Sequence, residues 1–208
     1  MFHDRLDAGQ QLAWRLRHLQ DMEPKPLILG ILRGGVPVAS EVARNLRGTL
    51  GVIWVKKIGA PDNPEYAWGA VTDQSEIVLS NLVPIDREYV RQVVRRRAKE
   101  FEDWRLRFGF TASLDTCTGR IVVVVDDGIA TGSTMKAALR RVRPFHPSRL
   151  IAAVPVAPAE AIESIKTEAD DVIAIRTPGD FFSVGNYYDD FRPVSDEDVA
   201  AYLGHGVL

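Results

Sequence analysis

The run Val122-Val123-Val124-Val125 stops abruptly at Asp126-Asp127-Gly128, and after Ile129 and Ala130 comes Thr131-Gly132-Ser133-Thr134. Four β-branched residues in a row lack the polar alternation of a half-exposed strand; they fit a strand buried on both faces, as in the middle of a parallel sheet. Two adjacent carboxylates cannot continue into a dry core, because each would lose its hydration there. They belong at the strand's carboxyl edge, where open α/β sheets bind ligands. Gly128 and Gly132 allow a tight turn, and Thr131, Ser133 and Thr134 put hydroxyls beside the first unpaired N–H groups of the next helix. Such a loop suits a phosphate monoester. The carboxylates beside it can accept hydrogen bonds from vicinal hydroxyls, so a phosphorylated sugar fits better than a lone phosphate.

The rest of the chain supplies the frame for that strand. Asp4 to Leu19 has helical spacing, with Leu6, Leu12, Ala13, Leu16 and Leu19 on one side, and Pro24 and Pro26 stop it. Leu27 to Leu32 reads as a strand, Arg33-Gly34-Gly35 as a tight turn and Val36 to Leu46 as a helix. Leu50 to Val55 reads as one strand ending at Lys56 and Lys57, and Gly59 to Gly69 as a mobile loop. Ala70 to Leu79 reads as one or two short strands around Asp73 to Glu76, followed by a long helix over about 86–108 whose apolar stripe includes Val90, Val93, Phe101, Trp104 and Phe108. Beyond Thr134 come a helix to Arg143, a strand from Leu150 to Val156, a helix from Ala159 to Thr167 and a strand from Asp171 to Arg176. Alternating strands and helices predict an α/β fold, a central mostly parallel sheet flanked by helices over residues 1–176. Residues 177–208, rich in aromatics and acids, read as a small C-terminal hood or flap.

Composition narrows the partners. Lys and Arg total 26 against 28 Asp and Glu, a formal net charge of -2, so there is no overall attraction to nucleic acid or an anionic membrane. The cluster Arg91, Arg95, Arg96, Arg97 and Lys99 is interleaved with Glu88, Glu100, Glu102 and Asp103, the pattern of a solvated helix face. A single cysteine, Cys117, excludes an intrachain disulfide and fits a reducing compartment. The N-terminal residues carry charges where a signal peptide would be apolar, and no apolar run approaches the roughly 20 residues needed to span a bilayer; a cytoplasmic protein is expected. Hydrophobic residues of the long helix, Trp104 and Phe108 among them, raise the expectation of a homodimer. Gly132 is followed by serine rather than lysine, and no Gly-x-Gly-x-x-Gly occurs, so the loop is neither a kinase-type phosphate loop nor a dinucleotide fingerprint.

Taken together, Val122 to Thr134 resembles the signature of the type I phosphoribosyltransferases, which bind 5-phosphoribosyl 1-pyrophosphate. The resemblance extends to Arg33-Gly34-Gly35, similar to that family's pyrophosphate loop, and to the strand order over roughly residues 25–176. It implies that Asp126 and Asp127 contact the ribose 2- and 3-hydroxyls, and that Ala130, Thr131, Gly132, Ser133 and Thr134, with Gly128 at the turn, wrap the 5-phosphate. The implied reaction displaces pyrophosphate from the anomeric carbon by a nitrogenous base. Arg33 with Lys56 or Lys57 would stabilise the leaving group, and Glu65 or Tyr66 of the mobile loop would close over it. Mg²⁺ is the implied cofactor, held mainly by substrate oxygens and water as this hard cation prefers, with Asp126 and Asp127 the protein groups able to add a contact. Phe182 to Phe191 is similar to the purine-binding hood of hypoxanthine and guanine members, with Phe182 stacking on the base and Asp189 facing its exocyclic group. Ala130 departs from those members, which carry an acidic general base there, and Ala130-Thr131-Gly132 looks more like the adenine and orotate branches. Some relatives with this motif are regulators, so a sensing module without turnover is the alternative function.

Overall fold

The structure is a computed structural model that describes residues 1–59, 67–73, 77–79, 86–108 and 114–204. In chain order its main elements are α1 (Arg5–Leu16), β1 (Leu27–Ile31), α2 (Gly35–Leu46), β2 (Thr49–Ile53), β3 (Val55–Gly59), β4 (Ala67–Thr72), β5 (Ile77–Leu79) and α3 (Arg87–Phe108). Then come β6 (Ile121–Val125), α4 (Ser133–Val142), β7 (Arg149–Val156), α5 (Ala159–Ile165), β8 (Asp171–Arg176) and α6 (Asp196–Gly204).

Five strands form one parallel sheet in the order β2-β1-β6-β7-β8, with β6 at its centre as its composition predicts. Val122 to Val125 are fully buried, and they alternate between two cores. Val123 and Val125 face the layer that holds Leu12, Leu16, Val36 and Val42 of α1 and α2. Val122 and Val124 face Met135, Leu139 and Val142 of α4 and Ile165 of α5. Burying one such side chain stabilises the fold by about 1.5–3 kcal/mol, so a single strand packed on both faces anchors both layers. The chain turns one way from β1 to β2 and the other way from β6 to β7, which makes the β1/β6 boundary the switch point of the sheet, where α/β folds open a crevice. There, parallel register sets Gly30 opposite Val125, so the turn after β1 lies beside the acids after β6.

Three features depart from the sequence reading. Leu50 to Val55 is not one strand: β2 ends at Ile53, Trp54 breaks the run, and β3 begins a separate antiparallel sheet, β3-β4-β5. Trp54 turns into the core edge-on against Phe101, ring centroids 5.2 Å apart, so the break is made by packing and not by a glycine or proline. Lys56 and Lys57 therefore lie inside β3 rather than at the end of β2. The segment Gly59 to Gly69 ends sooner than expected, since β4 starts at Ala67; residues 60–66, including Glu65 and Tyr66, lie outside the described residues. Trp104 is 9% exposed, with its indole N–H donating to Asp196 Oδ1 at 3.2 Å, so it cannot serve an exposed dimer face. The Phe108 side chain is outside the described residues.

Residues beyond Arg176, read from sequence as a hood set apart, are tied to the body at two places. Tyr188 packs on fully buried Phe2, and Phe2 exchanges backbone hydrogen bonds with Tyr187 and Asp189. Helix α6 sends Val199 and Leu203 into the same core layer as α1 and α2. On α3 the interleaved charges pair along the helix, Arg91 with Glu88, Arg97 with Glu100 and Arg105 with Glu102; the first and last pairs lie on the expected solvated face, while Arg97 turns inward, 28% exposed with its Nε buried and without a partner among the described residues. Among the described residues no helix is long and apolar enough to cross a membrane.

Candidate active site

Asp126 and Asp127 sit at the carboxyl end of β6, below the surface. Asp127 accepts at Oδ2 from Arg5 Nε at 2.8 Å, and Asp126 accepts at Oδ1 from the Asp127 backbone N–H at 2.9 Å. Asp127 Oδ1 and Asp126 Oδ2 accept no hydrogen bond from another of the described residues, the Asp127 backbone N–H aside. Burial pushes the Asp126 carboxyl well above the usual range, and the neighbouring Asp127 charge pushes it further. Burial also raises Asp127, against the opposing pull of the Arg5 charge and hydrogen bond. The Tyr188 hydroxyl donates to the Asp127 carbonyl at 2.6 Å; burial, then the nearby Asp127 charge, holds it protonated far above the ordinary tyrosine range. Gly34 lies against the pair from the other side. A Cβ there would overlap Asp127 Oδ2, so only glycine lets the turn after β1 approach this closely. The Leu32–Arg33 peptide of that turn is cis.

The loop after the acids ends at Gly132, whose φ of +84° is in the left-handed region that favours glycine, and α4 begins at Ser133. No side chain caps α4, and the first bond back to Gly132 O comes from Lys136 N–H, which leaves the N–H groups of its first turn to face the loop. Together with the helix dipole they make a local positive site in a chain of net negative charge. Thr131 Oγ1 lies 3.4 Å from Ser133 Oγ. Gly128, Ala130, Thr131, Gly132 and Thr134 line one cavity of about 210 Å³ with Asp126 and Lys57, while Val184 closes it from the C-terminal segment. Asp126 and most of the loop after it thus open on one space, whereas Asp127 and Ser133 are not among its lining residues.

The expected leaving-group residues divide between two cavities. Successive residues of a strand point to opposite faces, so Lys57 reaches the 210 Å³ cavity while Lys56 reaches another of about 410 Å³ with Arg33, Trp54, Arg97, Glu100 and Asp196. In that second space Arg33 Nη1 is 3.5 Å from Asp196 Oδ1. Burial holds the Lys56 ammonium below the ordinary lysine value, and the charges of Arg33 and Arg97 act in the same direction. Arg33 and Lys56 are therefore together, and Lys57 is with the phosphate loop.

Of the acceptor residues, Phe182 is 87% exposed, and Asp189 is exposed with its N–H bound to the Phe2 carbonyl. Neither lines the 210 Å³ cavity, where Val184 stands instead. Sequence reasoning gave no role to Arg5, Tyr188 or Val184, and in each case the signal is a contact between segments distant in sequence, 122 residues for Arg5 and 61 for Tyr188, rather than a local pattern.

A family model described as phosphoribosyl transferase domain matches residues 3–191. A solved structure, TT1426 from Thermus thermophilus, is 45% identical and superposes with a TM-score of 0.78, covering 100% of this chain and 99% of that one. Rv0571c of Mycobacterium tuberculosis H37Rv, provisionally named a phosphoribosyl transferase, is 40% identical over 207 residues, 98% of this chain. The match covers 46% of that relative, so this chain spans about half its length. The family match runs from the N-terminal segment through β1 and its turn, β6 with its acids and the loop into α4, to Phe191, leaving out only α6 among the elements that line the two cavities, and the chain belongs to the phosphoribosyl transferase domain family.

Proposed function

We propose that the chain transfers 5-phosphoribose from phosphoribosyl pyrophosphate to a nitrogenous, purine-like base and releases pyrophosphate. One observation carries the reading. Two carboxylate oxygens that accept from no other of the described residues, the Asp127 backbone N–H aside, and the uncapped N-terminus of α4 belong to one continuous loop, which is what a sugar bearing vicinal hydroxyls and a 5-phosphate would need. Asp126 and Asp127 would accept from the two ribose hydroxyls. Thr131, Ser133 and Thr134, with the first N–H groups of α4, would hold the 5-phosphate, and Lys57 would add charge from across the cavity. Arg33 and Lys56 would take up the negative charge that grows on the departing diphosphate as the ribose becomes cationic. These groups act by position and charge, and a held geometry supplies much of the rate.

The donor set suits Mg²⁺ carried on substrate oxygens. Asp127 Oδ1 and Asp126 Oδ2 are hard oxygen ligands able to add to such an ion or to receive hydroxyls beside it. When bound, the ion would neutralise the diphosphate. For the acceptor, the exposed Phe182 ring offers a face for a flat heterocycle. Ala130 brings no acid to the cavity, so residue 130 takes no proton from the incoming base. The test is pyrophosphate release from phosphoribosyl pyrophosphate and Mg²⁺ with a panel of purines and pyrimidines. Base-dependent release with at least one purine is expected. Donor binding without release for any base would overturn the transferase reading and favour the sensing alternative.

A further inference from the structure

We propose that Arg5 is a positioning residue of the donor site, gripping one oxygen of Asp127 so that the other is presented to the donor; the inference rests on the function proposed above. Arg5 opens α1, far from the acids in sequence, yet its Nε meets Asp127 Oδ2 at 2.8 Å with both side chains nearly buried, 11% and 14% exposed. Its other contacts fix the guanidinium in place. Nη1 donates to the Arg192 carbonyl at 2.8 Å, and the group lies 3.9 Å from the centre of the Phe191 ring. A planar guanidinium can meet a carboxylate, a carbonyl and a ring face at once; a lysine ammonium cannot.

The consequence for Asp127 is geometric. With Oδ2 held by Arg5, and with no room for a Cβ at Gly34 beside the same oxygen, the carboxylate is restrained on that side and Oδ1 is the oxygen that Arg5 does not hold. Asp127 is also held through its backbone, by the Tyr188 hydroxyl on its carbonyl. Both restraints come from the joined terminal segments, because residues 2 and 3 hydrogen-bond to residues 187, 189 and 190. The same Phe191 ring lies 3.0 Å from where a Cβ of Gly185 would be, so Arg5 links the acid pair to the segment that carries Val184. A buried ion pair is often worth little as a source of stability. One that orients a ligand-facing carboxylate has a separate role, and the two are separable by measurement.

The experiment compares wild type, Arg5→Gln and Arg5→Lys, each confirmed folded by circular dichroism and assayed below its own melting temperature. Donor KM, acceptor KM and kcat are determined, with donor affinity measured directly by calorimetry. Arg5→Gln is expected to raise donor KM and Kd roughly tenfold or more, since a charge-assisted contact to a ligand-facing carboxylate is lost, with acceptor KM little changed. Arg5→Lys should recover part of the loss. If Arg5→Gln does not fold, Arg5→Lys alone decides, with an expected loss of donor affinity of severalfold. Unchanged donor affinity in a folded variant that merely melts earlier would overturn the inference and leave the proposed function intact. A wild type that binds no donor would contradict the proposed function and this inference with it.

Discussion

Gly34 shows how little room the acid pair leaves. A Cβ at that position would stand 2.8 Å from Asp127 Cγ and closer still to Oδ2, and at Gly35 it would lie 2.5 Å from the Val125 carbonyl oxygen. Gly34→Ala must displace the carboxylate or the turn, a strain of about 1–3 kcal/mol. The expected outcome is a lower melting temperature together with a loss of donor affinity, read by thermal melting and calorimetry on the same sample. Cys117 gives a test unconnected with the site. It is fully buried, and burial pushes its thiol to about 11 from an ordinary 9.0. A thiol that titrates higher when folded leaves stability level below about 9 and lowers it as pH rises from there toward 11, because only the unfolded chain then gains by losing the proton. Native protein at pH 8 should resist iodoacetamide and react once unfolded; rapid native labelling would contradict the burial. At this scale the acids and hydroxyls of the loop were legible in sequence, because carboxylates after an apolar strand have only one place to go. Arg5 was not. It reads as one more charge on an amphipathic helix, and its partner is 122 residues away.

The elements were legible where composition was extreme and illegible where packing overrode it. The all-valine stretch of β6 and the helix after Gly132 follow from local chemistry. The division between β2 and β3 does not, because Trp54 belongs to neither strand for a reason that lies in α3, the edge-on contact with Phe101. That division has a functional result, since it sets Lys56 and Lys57 inside one strand and sends them to different cavities. Exchanging each for methionine should separate their roles. Lys57→Met is expected to weaken binding of ribose 5-phosphate, which has no diphosphate, by roughly tenfold, the scale of a lost charged contact. Lys56→Met should leave that affinity within about twofold and instead weaken inhibition by pyrophosphate. Equal effects of the two variants on both ligands would contradict the alternation.

Across the whole molecule the first residues and the last elements act as one brace behind the sheet edge. Phe2, fully buried, meets Tyr188 at a ring separation of 5.3 Å, and Tyr188 holds the Asp127 carbonyl. Phe2→Ala removes that support and should cost about 3–5 kcal/mol in stability, with a loss of donor affinity beyond what the melting curve alone implies. No sequence pattern announces such a pairing of distant segments, which is why residues 177 onward read as a separate flap. The parallel sheet, by contrast, needs only alternating elements and one doubly buried strand to be legible, while the strand order that brings the two loops of the site together at the switch point was implied only by the family resemblance. The claim that this crevice takes an activated ribose is tested most directly by calorimetric titration of the intact chain with phosphoribosyl pyrophosphate and Mg²⁺, alongside Asp127→Asn. Saturable binding near one donor per chain, weakened at least tenfold in Asp127→Asn, is the result predicted here. No binding at millimolar donor, or equal affinity in the folded variant, would contradict it.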